Sequence, residues 1–138
     1  MKHCETFDHT ADVGLQARAD ELGELFEALA EGLADYICPR AQVQPAETRR
    51  IKADSDGLED LAVEFLWKVM DLIQADHFAV AAVRVTQIGP TALTAEVAGE
   101  RLDLARHDIH TEVKAVTYHM LKVAREGGQW TGRVILDL

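Results

Sequence analysis

The sequence predicts an α+β fold: a single domain over residues 1–138, with two main amphipathic helices packed on a mixed, largely antiparallel sheet. Three observations lead there. Two long stretches repeat apolar residues at three- and four-residue steps, the period of a helix with one buried face. Several shorter stretches alternate, or run rich in Val and Ala, as strands do. Short glycine-bearing turns join most of them, which favours hairpins over long crossovers. At 138 residues the chain can bury a core without disulfide or metal staples. No internal repeat, low-complexity tract or linker divides it.

In chain order, residues 7–14 begin as a strand, and a strand resumes at Val13, with Val13, Leu15 and Ala17 on one face up to Ala19. Residues 20–37 read as the first helix, its stripe formed by Leu22, Leu25, Phe26, Leu29, Leu33 and Tyr36. Asp20 is placed to cap it, Glu21 and Glu24 suit its positive end, and Cys38-Pro39 stops it. Residues 48–53 are short and charged, as an edge strand is. The second helix follows Asp56, whose Asp56-Gly57-Leu58-Glu59 start resembles a capping box. Its buried face is Leu58, Leu61, Ala62, Phe65, Leu66, Val69, Leu72 and Ile73, and the acids between apolar positions of both helices read as solvated faces. Residues 78–88 turn through Gly89-Pro90-Thr91 into 92–99, a hairpin. Residues 119–125 and 130–137 form a closing hairpin around Glu126-Gly127-Gly128-Gln129.

The net charge of −10 lies entirely in residues 1–76, with 17 acids and 7 bases; residues 77–138 carry 7 of each. Phosphate-backbone binding needs the opposite balance, so direct, tight nucleic-acid binding is not expected. A basic protein partner, or solubility, accounts for the acidity better. No apolar run is long enough to span a membrane, and Met1-Lys2-His3-Cys4-Glu5 lacks the apolar core of a signal peptide. Cys4 and Cys38 form no C-x-x-C pair, so two unpaired thiols and a cytoplasmic location are expected.

Familiar catalytic patterns are missing. Ser55 is the only serine and lies in no G-x-S-x-G elbow. Neither a G-x-x-x-x-G-K-S/T nor a G-x-G-x-x-G phosphate loop occurs. None of His3, His9, His77, His107, His110 and His119 forms an H-x-x-x-H pair, and each alone reads as a surface or hydrogen-bonded histidine. Carboxylates are the better candidates. Asp8 and Asp12 flank His9 and Thr10 near one end of the sequence, and the other end places Asp137 beside the terminal carboxylate of Leu138. Combined, Asp12, Asp137 and Leu138 offer hard oxygen ligands without thiolate, a set that suits calcium, magnesium or manganese rather than zinc. Asp137 read alone is more simply an ordinary solvated strand end.

Phe7-Asp8-His9-Thr10-Ala11-Asp12-Val13-Gly14 closely resembles the N-terminal signature of the archeases. His110-Thr111-Glu112-Val113-Lys114-Ala115-Val116-Thr117-Tyr118-His119 resembles their second signature, and Val134-Ile135-Leu136-Asp137-Leu138 is similar to their third. The motifs occur in the family's order and span the whole chain. The resemblance implies an accessory protein rather than a stand-alone enzyme: an activator of an RtcB-type RNA ligase in tRNA splicing and RNA repair. Such an activator promotes guanylylation of the ligase by GTP and restores multiple turnover, with a bound divalent cation. It also places the metal ligands on Asp12, Asp137 and Leu138, with calcium first and manganese or magnesium as alternatives. His9, Lys114 and His119 then face the partner or stand behind the ligands, and Lys114 equally pairs with a carboxylate. Two other readings compete: a metal-dependent hydrolase using Asp12, Asp137 and His9, and an acidic protein-binding module or chaperone. The sequence does not set an oligomeric state.

Overall fold

The structure, a computed structural model, describes residues 1–9 and 12–138, the side chains of Asp8 and His9 apart. Thr10 and Ala11 of the first signature therefore lie outside the described residues. The strands are β1 (His3–His9), β2 (Asp12–Ala19), β3 (Glu47–Asp54), β4 (Phe78–Ile88), β5 (Ala92–Arg101), β6 (Ala115–Val116), β7 (Lys122–Glu126) and β8 (Gln129–Asp137). The helices are α1 (Leu22–Ile37) and α2 (Leu58–Gln74), and a single 3-10 turn covers Arg40–Gln42.

The expected class holds: two amphipathic helices on antiparallel sheet. Among the described residues every strand pairing is antiparallel, and the strands divide between two sheets rather than joining in a single mixed one. The larger sheet runs β1-β2-β8, with β6 and β7 in line along the far edge of β8. The smaller runs β3-β5-β4, which puts the charged β3 at an edge as its composition predicts. Val13, Leu15, Ala17, Val134 and Leu136 point from the larger sheet into the same core as Ile51, Ala53, Leu93, Ala95 and Val97 from the smaller. The helices meet in that core at Phe26 and Phe65, whose ring centroids are 6.1 Å apart. Among the described residues, no helix is long and apolar enough to cross a membrane.

Both helix starts differ from expectation. The residue before α1 is Glu21, without a side-chain cap. Asp20 instead accepts from the Met1 ammonium at 2.7 Å and from Gln129 Nε2 at 3.1 Å. Gly57 precedes α2 in an extended conformation, which leaves Asp56 one residue too early to cap. The expected solvated acids of α1 are also corrected. Glu31 accepts the Val83 N–H at 3.0 Å and Glu27 the Val85 N–H at 2.8 Å, so α1 carboxylates cover part of the open edge of β4. Lys2 joins both acids, at 3.0 and 3.2 Å. An unpaired strand edge invites another chain, and this one is partly filled from within.

The closing hairpin turns on Gly127 and Gly128, with φ of 57° and 83°. Positive φ at both central residues is what a two-residue type I′ turn demands, and glycine meets it without strain. β7 starts at Lys122 rather than at His119, because Leu121 N–H closes a turn on the Tyr118 carbonyl at 3.3 Å. Met120 occupies that turn with φ of 54°. Arg133 Nε donates to its carbonyl at 2.9 Å and holds it there.

Candidate metal centre

Asp12 and Asp137 are direct cross-strand partners in the β2–β8 ladder, although 125 positions separate them in sequence. Opposed residues of an antiparallel pair put their side chains on the same face, with Cβ atoms about 5 Å apart. Their neighbours Val13 and Leu136 point into the core, so both acids stand on the outer face of the sheet, away from the helices. Leu138 packs its side chain against the core, which anchors the main chain just beyond Asp137. The β1–β2 register sets His9 opposite Asp12, while its side chain lies outside the described residues.

The next row of the same face explains two further signature residues. Phe7, Gly14 and Ile135 are aligned across β1, β2 and β8. The Phe7 ring occupies the space that a side chain at Gly14 would need. Ile135 is only 1% exposed although it points away from the helices. An apolar wall therefore backs the carboxylate row, and a glycine within a strand marks that close approach.

On the other side of Asp137 runs the second signature. The Lys114 N–H donates to the Asp137 carbonyl at 2.8 Å, and β6 aligns Ala115 with Asp137. Thr117 contributes both N–H and hydroxyl to the Ile135 carbonyl, at 3.0 and 2.9 Å. α2 straps this segment down. Gln74 Nε2 donates to the Val113 carbonyl and Gln74 Oε1 accepts the Val113 N–H, each at 2.8 Å. Trp67 Nε1–H donates to the Val116 carbonyl at 3.1 Å. Trp67 and Gln74 lie two helical turns apart, about 10 Å along the axis. That matches the roughly 10 Å that three residues of extended chain span.

The sequence reading missed Trp67, Gln74 and the Phe7–Gly14 pair. The available signals were two hydrogen-bonding side chains seven apart on α2 and a glycine in an alternating strand. Lys114 is exposed, and no ion pair of its ammonium is found among the described residues. His119 is exposed in the turn before β7, with its N–H on Thr117 Oγ1 at 3.3 Å.

Two carboxylates opposed in a ladder repel, and a divalent cation between them reverses the sign of that term. The donor set is all oxygen. Among the described residues, no three or more His, Cys, Asp or Glu side chains gather anywhere to hold a metal. A further ligand at this pair would therefore come from the main chain or from outside those residues. Thiol chemistry has little support, since burial first, then Asp35 and Glu5, push the Cys4 thiol up to about 12. A thiol held there is no nucleophile at neutral pH.

Residues 4–138 match the model of the Archease protein family (MTH1598/TM1083). The chain belongs to the archease family. The archease of Thermococcus gammatolerans is 34% identical over the whole of both chains, and that of Pyrococcus abyssi likewise. The solution structure of Methanobacterium thermoautotrophicum protein 1598 superposes with a TM-score of 0.74 at 32% identity, covering 98% of each chain. A Thermotoga maritima crystal structure, described as an archease and "possible chaperone", shares the archease fold at a TM-score of 0.58 and 23% identity, over 97% of this chain and 96% of that one.

Proposed function

We propose that this archease binds a divalent cation on Asp12, Asp137 and the main-chain carboxylate of Leu138, and with it activates an RtcB-type RNA ligase in the cytoplasm. The cation is calcium, with manganese or magnesium as the alternatives. The observation that carries the reading is the direct pairing of Asp12 with Asp137 at one end of the larger sheet, beside the strapped second signature. The ligase as partner rests on what the resemblance of the three signatures to those of the archeases implies. A divalent cation beside a nucleoside triphosphate bridges its oxygens and neutralises charge during nucleotidyl transfer. The protein's own residues hold that ion on the ladder, and the exposed Lys114 and His119 face the partner. The acidic first half meets a basic, RNA-binding ligase rather than RNA itself.

The test is turnover of a purified RtcB-type ligase with GTP, metal and RNA ends. The ligase alone should stall after few turnovers and resume when this protein is added substoichiometrically, and Asp12→Asn should fail to restore it. Hydrolysis of nucleotide or RNA by the protein alone would favour the hydrolase reading. Full activation by Asp12→Asn would leave a chaperone whose carboxylates are structural.

A further inference from the structure

A cavity of about 430 Å³ lies where the ends of α1 and α2 meet the connection between β5 and β6. Its walls include Ile37, Ile73 and Leu102, and Leu104 and Ile109 stand at its edge. Leu104 is 75% and Ile109 43% exposed, two of only five large apolar side chains left in water among the described residues. Apolar groups stranded beside an apolar cavity mark a contact surface. The walls are already held in place. His107, fully buried, accepts the Asp103 N–H on Nδ1 at 2.9 Å, while its Nε2 lies 3.0 Å from Glu100. The His110 N–H reaches the Ile37 carbonyl, and the Asp108 N–H reaches Gln42 Oε1, each at 2.8 Å. A preformed site avoids ordering costs on binding.

The charge around the mouth selects the occupant. Glu112 lines the cavity, and the exposed Asp76 and Asp108 adjoin its lining residues His77 and Ile109 in sequence, against Arg101 beside Leu102, while Arg106 is already taken by Glu100 and Asp103. Phosphate is disfavoured by that balance, and no Phe, Tyr or Trp ring lines the cavity to stack a base. We propose that this cavity is a docking site for a partner protein, taking one apolar side chain of leucine size presented on a Lys/Arg-rich segment. The inference does not depend on the ligase reading.

A lysine-rich peptide with a single central leucine serves as the probe, compared with the same peptide bearing serine at the centre and with a glutamate-flanked leucine version. Methyl NMR of the full-length protein follows Ile37, Ile73 and Leu102. Saturable shifts at these methyls are expected with the basic leucine peptide alone. Leu104→Asp, at an exposed position that should leave the melting temperature unchanged, should weaken that affinity at least tenfold, and Glu112→Lys should weaken it several-fold. No saturable shift, equal shifts with the serine peptide, or unchanged affinity in Leu104→Asp would overturn the proposal. The wild-type ligase assay reads independently of all three.

Discussion

Neutralising one member of an opposed carboxylate pair has two separable consequences. Like charges directly opposite in a ladder cost a few tenths to about 1 kcal/mol. Asp12→Asn removes that repulsion together with Asp12's other interaction, so its metal-free melting temperature serves as the baseline for the metal-dependent shift. With calcium or manganese at about 100 times the dissociation constant, the wild-type protein should gain about 2.7 kcal/mol, several degrees in melting temperature. Asp12→Asn should lose that gain, and scanning calorimetry with and without metal checks both halves. Phe7 and Gly14 give a second test at this scale. Gly14→Val forces the Phe7 ring off the strand and should cost about 1–3 kcal/mol. Combining it with Phe7→Ala should recover much of that loss, because the valine then fills the vacated space; a double-mutant cycle by chemical denaturation reads the coupling.

Strapping by α2 makes the second signature depend on a distant helix. Gln74→Leu leaves the buried N–H of Val113 without its partner and should cost about 1–3 kcal/mol. Amide exchange of residues 114–117 should accelerate well beyond that of the β2–β8 ladder, as mass spectrometry of exchange would show. The connection feeding this segment has its own acid sensitivity. Hydrogen bonds from Arg106 first, then the Gln44 N–H, hold the Glu100 carboxyl at about 2 against its ordinary 4.5. A carboxyl held low in the folded state contributes stability above its unfolded value and loses it as the pH falls through the folded one. The melting temperature of the wild type should thus drop more steeply from pH 4.5 to 2 than that of Glu100→Gln. Equal slopes in thermal scans across that window would mean the network adds nothing.

Across the whole molecule, a net charge of −10 opposes the phosphate backbone. Affinity of the isolated protein for RNA should stay weaker than micromolar at physiological salt, by fluorescence anisotropy. Assembly with a basic ligase should weaken as salt rises, since long-range attraction is screened. The core ties these surfaces together. One apolar cluster takes residues from both sheets and both helices, so a cavity made at Phe65 should lower stability by about 3–5 kcal/mol throughout rather than locally.

The α+β class, both helices, the β4–β5 hairpin and the Gly127-Gly128 turn were all legible in the sequence, because each follows from periodicity or turn chemistry within a few residues. The signatures that mark the family were equally plain as strings of residues. Their arrangement was not. That Asp12 lies opposite Asp137 depends on the register between strands from opposite ends of the chain, and no local period encodes it. The same holds for Glu27 and Glu31, whose spacing reads as a solvated helix face until β4 is packed beside them. It also holds for Gln74 and Trp67, which became clamps only when the fold brought the second signature across α2. Helix caps failed for a related reason: Asp20 found partners in Met1 and Gln129, and tertiary contacts outcompeted the local cap. Local sequence sets which elements form; the choice of partners for polar groups belongs to the tertiary structure, because a hydrogen bond or ion pair is decided by proximity in space.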